Sequence, residues 1–116
     1  MESCARNRRS SGTTGITNGA VAFAVQQLAR ELVPIRVNAI SPGLTQSETV
    51  REHGFEAMAK QLAEQSAIPR LEVPEDLVGT AAWLASDDAA FVTGQTICVD
   101  GGQHLGWRTP DVLGVE

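Results

Sequence analysis

VPEDLVGTAAWLASDDAAFVTGQTICVDGG, residues 73–102, decides how the chain is read. It opens like a helix. Pro74 fits a first turn, where its missing N–H costs nothing. Glu75 and Asp76 complement the positive end of the helix dipole. Leu77, Val78, Ala81, Ala82, Leu84 and Ala85 then supply a packing face. SDDAAFVTG reads as a turn or short helix, and the β-branched run after it predicts a strand over 95–100, stopped by Gly101 and Gly102.

Upstream of that stretch, IRVNAIS (35–41) reads as a buried strand, and Pro42 and Gly43 stop it. The residues between the two strands predict a helix over about 48–65, broken at Gly54, with Phe55, Met58 and Leu62 on its buried side. Before the first strand, Thr17 or Asn18 offers an N-cap, and a helix is expected over 18–32. Val21, Val25, Leu28 and Leu32 form its apolar stripe, and Pro34 ends it. The order helix, strand, helices, strand predicts an α/β fold built on one βαβ unit, with parallel strands. Residues 1–12 read as a disordered tail, 13–103 as a partial α/β domain, and 104–116 as an extension with no clear period.

The totals bound the function. A chain of 116 residues makes one small domain and is short for a complete nucleotide-dependent enzyme. No apolar run approaches the ~20 residues of a membrane helix, and the N-terminus has no apolar core of a secretory leader, so a cytoplasmic location is expected. Net charge is −5; residues 1–12 carry +2, which leaves −7 on the body and argues against nucleic acid as a partner. Cys4 and Cys98 lie far apart, and Cys98 reads as a small core residue rather than half of a disulfide. His53 and His104 stand isolated, with no second ligand at a metal-binding spacing, so no metal is expected.

Three segments carry a resemblance: NGAVAFAVQQLAREL (18–32), RELVPIRVNAISPGL (30–44) and AIPRLEVPEDLVGTAAWLASDDAAFVTGQTICVDGG (67–102). From about residue 15 to 103 the chain resembles the C-terminal half of the short-chain dehydrogenase/reductases, in the flavour of secondary-alcohol and 3-oxoacyl reductases. The resemblance implies a Rossmann-type parallel sheet, here incomplete, and an oxidoreductase moving a hydride between NAD or NADP and an alcohol/carbonyl pair. It implies that helix 18–32 matches the helix opening on the catalytic Tyr-x-x-x-Lys, which also packs in the dimer. NAISPG matches the sixth strand and the Pro-Gly loop beside the nicotinamide, and TGQTICVDGG the last strand.

The chemistry needs a phenol whose pKa a nearby ammonium lowers, one helical turn on. In this frame the tyrosine slot holds Thr14 and the lysine slot Asn18. The chain has no tyrosine at all, and its lysine, Lys60, lies in another helix. A threonine hydroxyl ionises far above a phenol's ~10, and asparagine brings no charge. No glycine-rich dinucleotide motif occurs in the sequence. What survives is a vestigial cofactor contact in PGLTQS: Pro42, Gly43, Leu44, Thr45 and Ser47, where the family usually has threonine in place of Ser47. The same Pro-Gly pair reads equally as an ordinary strand-ending turn. Many family members have glycine where Glu72 stands, and MESCARNRRSSG departs abruptly from the family, as a frameshift or misplaced start would produce. The expectation is therefore a catalytically inactive, truncated oxidoreductase fold. The alternatives are a module that associates with its own copies or a full-length homologue, and an oxidoreductase completed by a partner.

Overall fold

The computed structural model describes residues 12–105, and side chains from residue 15 onward. The expected tail, apart from Gly12, and the expected extension beyond Leu105 lie outside the described residues. In order come α1 (Gly12–Glu31), β1 (Ala39–Pro42), α2 (Glu48–Glu52), α3 (Glu56–Ala63), α4 (Glu75–Ala85) and β2 (Thr96–Val99), with short 3₁₀ turns at Asp87–Ala89 and Gln103–Leu105. The two strands pair in parallel, with Ile40 opposite Ile97 and Ser41 opposite Cys98. The α/β class and the parallel pairing expected from the element order are therefore present. No helix among the described residues is long and apolar enough to cross a membrane.

Several local expectations change. α1 begins at Gly12, so Thr17 and Asn18 lie inside the helix and are not its caps; once nucleated, a helix gains a hydrogen bond for each residue added. β1 covers four residues rather than seven. Residues 36–38 instead run beside 92–95 on mixed bonds. The Val37 N–H donates to Thr93 Oγ1, and Asn38 donates to the Val92 carbonyl while accepting from the Gln95 N–H. Arg36 donates to the carbonyls of Leu84 and Ser86, capping the C-terminal end of α4 where a cation is favoured. Gly54 breaks the middle helix as expected, with a positive φ of 68° between α2 and α3.

Burial is thin. The buried apolar residues are Val25, Ala29, Ala59, Ala63 and Ala89. Phe55 and Met58, expected inside, are exposed, and Ala59 and Ala63 take the buried side of α3. α4 has an apolar face but no buried residue. The reason is geometric: two strands offer too narrow a surface to cover the helices that pack on a parallel sheet. Among the described residues, four of the five buried apolar residues are alanines, and larger side chains such as Phe55 and Met58 stay exposed.

Candidate functional site

Pro42 is the last residue of β1, and the chain turns at Gly43 towards the segment leading into α4. Two side chains from distant parts of the sequence fill this turn. The Gly43 N–H donates to Glu72 Oε2 at 2.9 Å, and the Thr45 hydroxyl donates to the same oxygen at 2.6 Å. The Leu44 N–H donates to Gln103 Oε1 at 2.9 Å. Backbone bonds run alongside: the Glu72 N–H to the Leu44 carbonyl at 3.1 Å and the Gln46 N–H to the Glu72 carbonyl at 2.7 Å, a short parallel bridge. Glu72 is buried, so its carboxylate needs these donors. Hydrogen bonds to a charged group contribute about 1.5–3 kcal/mol each.

Space is as tight as the bonding. A Cβ at Gly43 would lie 2.9 Å from Gln103 Oε1 and 3.0 Å from the Asp100 backbone. Asp100 organises the loop after β2: it accepts from the Gly102 and His104 N–H groups, and the His104 ring Nδ1 lies 2.8 Å from its Oδ2. Gly101 and Gly102 both adopt positive φ there. Ser47 stands apart from the cluster. Its hydroxyl accepts from the Val50 N–H and caps α2.

On the other side of the Glu72 bridge, Arg70 makes a two-armed ion pair with Asp76 at 2.7 Å per arm. The hydrogen bond from Arg70, and then the Val73 N–H, hold the Asp76 carboxyl well below the usual range, at about 2. The same hydrogen bond raises Arg70.

Thr14 and Asn18 sit one turn apart on α1, as their spacing requires, and Asn18 is exposed. Of the residues expected at a cofactor contact, the fold gathers Gly43, Leu44 and Thr45 and turns their donors inward. Glu72 and Gln103 are partners that sequence reasoning did not anticipate; the signal for Glu72 was its departure from the family's glycine. His104 is not isolated: donor atoms of Cys98, Asp100 and His104 lie within 4.8 Å of one another. Cys98, however, is disulfide-bonded rather than a reduced core thiol, and offers no thiolate to a metal.

The family model described as enoyl-(acyl carrier protein) reductase matches residues 3–104. The chain belongs to the short-chain dehydrogenase/reductase family. An uncharacterized oxidoreductase of Mycobacterium tuberculosis is 42% identical over 93 residues, covering 78% of this chain and 38% of that protein. A solved short-chain type dehydrogenase/reductase from Mycobacterium ulcerans superposes with a TM-score of 0.76 at 39% identity, covering 94% of this chain and 40% of that one. A 4-hydroxyisoleucine dehydrogenase mutant, solved with NADH and succinate, superposes with a TM-score of 0.72 at 30% identity, covering 81% of this chain and 40% of that one. The described fold is thus part of the Rossmann-type sheet of the short-chain dehydrogenase/reductases, and the chain spans about 40% of the length of these relatives. The family match begins at residue 3, which corrects the expectation that the sequence before residue 12 is unrelated to the short-chain dehydrogenase/reductases.

The residues present do not fit the nicotinamide dinucleotide that the family uses. The donors around Gly43 are already paired inward, and the sequence has no glycine-rich turn to approach a pyrophosphate.

Proposed function

We propose that this chain carries part of a nicotinamide-dependent oxidoreductase fold acting on alcohol/carbonyl pairs, and that these residues alone neither seat the cofactor nor turn over substrate. One observation carries the reading: the groups best placed to meet a nicotinamide carboxamide, Gly43 N–H, Leu44 N–H and Thr45 Oγ1, are occupied by Glu72 and Gln103. Thr14 and Asn18 supply neither a phenol nor an ammonium, which agrees with it. Pro42, Gly43, Leu44, Thr45 and Ser47 are on this reading a closed remnant of a cofactor contact. Whether NAD or NADP was the ancestral cofactor depends on residues outside this stretch. The cytoplasm is its proposed location. Turnover is tested by following nicotinamide absorbance with the purified chain, a secondary alcohol and NAD or NADP, and separately a ketone with NADH or NADPH. No rate above blank supports the reading, and sustained turnover refutes it.

A second reading has its own observation. Ile16 and Phe23 are exposed on α1, as are Val33 and Ile35 just beyond it, and α4 exposes Val78 and Trp83. Apolar surface of this kind favours association with a second copy or with a full-length relative. Light scattering over a concentration series tests it, and a monomer at every concentration removes self-association.

A further inference from the structure

Cys98 lies in β2 and Asp100 follows two residues on, so the alternation of a strand turns both side chains to one face. Gly101 and Gly102 come next with φ of 60° and 80°, a left-handed turn that brings His104 back over the strand end. The Asp100 carboxylate fixes this turn. Its Oδ1 accepts the Gly102 N–H at 3.0 Å and its Oδ2 the His104 N–H at 2.9 Å, and the His104 ring Nδ1 lies 2.8 Å from Oδ2. The result is a sulfur, a carboxylate oxygen and a ring nitrogen within 4.8 Å of one another. The Asp100 side chain is 10% exposed and that of His104 23%, so the cluster is sheltered but reachable from solvent.

The donor set has a defined preference. Sulfur, imidazole nitrogen and carboxylate oxygen together suit zinc, whereas magnesium and calcium favour oxygen alone. Three protein ligands with a fourth position left to water make a complete zinc site. The backbone N–H groups on Asp100 orient the carboxylate as outer partners do at metal centres. Charge points the same way: a Cys98 thiolate and the Asp100 carboxylate would be like charges within 4.8 Å, and a divalent cation offsets both. What closes the site is the bond on sulfur, since a disulfide-bonded Cys98 carries no thiolate. In a reducing compartment such bonds are transient.

We propose that Cys98, Asp100 and His104 form a zinc site that opens when the Cys98 disulfide is reduced. Reduction takes two equivalents of a low-molecular-weight thiol. The first, as thiolate, attacks the sulfur bonded to Cys98, and Cys98 Sγ leaves with the electron pair of the S–S bond. The second displaces the mixed disulfide, so the small thiol is oxidised to its own disulfide and both protein sulfurs are reduced. Cys98 Sγ, an Asp100 carboxylate oxygen and a ring nitrogen of His104 then hold the ion, and the thiol proton goes to solvent. The site goes beyond the oxidoreductase reading and stands whether or not the chain turns over a substrate.

The test uses cobalt(II) as a coloured substitute for zinc. The full chain is prepared oxidised and, separately, reduced with dithiothreitol and desalted under nitrogen, with thiol titration confirming each state. The expected result is a saturable thiolate-to-cobalt charge-transfer band in the reduced chain, none in the oxidised chain, and loss of the band when zinc is added. Cys98→Ser should abolish the band, and His104→Ala should weaken cobalt binding by about tenfold or more. Cys4→Ser, which removes the chain's other cysteine, should keep it. No band in the reduced chain overturns the proposal. So does an equal band in the oxidised chain, a band that survives Cys98→Ser, or unchanged affinity in His104→Ala. If Cys98→Ser disturbs the fold, Cys4→Ser decides which sulfur binds, and loss of the band there overturns the assignment to Cys98.

Discussion

Glu72 Oε2 accepts the Gly43 N–H at 2.9 Å across 29 residues of sequence, joining the entry to α4 to the turn that ends β1. The Thr45 hydroxyl reaches the same oxygen at 2.6 Å, so one buried carboxylate oxygen closes the loop. Replacing Glu72 with Ala leaves the Gly43 N–H without its acceptor and the Thr45 hydroxyl with only the Gly43 carbonyl, at 3.2 Å. The expected loss is about 2–4 kcal/mol of unfolding free energy, read from urea denaturation. Glu72→Gln keeps an acceptor oxygen and should lose less. Equal stability of wild type and Glu72→Ala would contradict a bridge at this position.

The Arg70–Asp76 pair sets an acid-side dependence. The Asp76 carboxyl is held at about 2 against an ordinary 3.8. A depressed carboxyl contributes stability that is fully present above its unfolded value and is lost as pH falls through the folded one. The window therefore runs from about pH 4 down to about 2. A carboxyl carbon NMR titration should place the Asp76 midpoint near the lower end, and Arg70→Ala should raise it towards the ordinary range, with the Val73 N–H still holding it below. A midpoint already at the ordinary value in the wild type would show that the pair does not hold in solution.

Gly102 has a φ of 80°, and a Cβ there would lie 2.7 Å from the Ala67 Cβ. Gly102→Ala meets both backbone strain and a side-chain clash, and should destabilise the chain by about 1–3 kcal/mol. Gly79→Ala is the contrast: a Cβ at that position on α4 would meet nothing within 4 Å, and alanine is the better helix former. A thermal melt should fall for the first and hold or rise for the second.

Phe23 is exposed on α1, seven residues from the exposed Ile16 and so on the same face. If copies associate through that face, Phe23→Asp should shift light scattering towards monomer, with an unchanged circular dichroism spectrum. An unchanged mass distribution would place any association elsewhere.

Thr14→Tyr with Asn18→Lys restores the residue types that the family's chemistry uses, one helical turn apart. The double variant is expected to show no ketone reduction, because the dinucleotide motif is absent and the loop donors remain engaged. Measurable, enzyme-dependent NADPH oxidation with a ketone would show that the catalytic pair alone was missing.

Local features are legible in the sequence where one short stretch holds all the needed information. Pro74, Glu75 and Asp76 mark the start of α4, and Gly54 marks the break between α2 and α3. Features that depend on distant partners are hidden. Glu72 and Gln103 reach the Gly43 loop over 29 and 59 residues, and no periodicity connects them. Phe55 and Met58 look like core residues because their apolarity says nothing about whether a surface exists to cover them. β1 is shorter than its composition suggests for a related reason: Val37 and Asn38 have strand-like neighbours, but Thr93 and Asn38 side chains replace ladder bonds there. The residues of the candidate loop stand out in the sequence, while its closed state becomes visible only once the partners of its donors are known.

The central claim is that the Gly43–Thr45 donors face inward and leave no seat for a nicotinamide. The most direct measurement is a fluorescence titration of the full chain with NADH and with NADPH, using the tryptophans, including the partly exposed Trp83, as reporters. The predicted result is only linear, inner-filter loss of signal up to about millimolar cofactor, a concentration at which even weak nicotinamide sites fill. Saturable quenching, competed away by the oxidised cofactor, would contradict it.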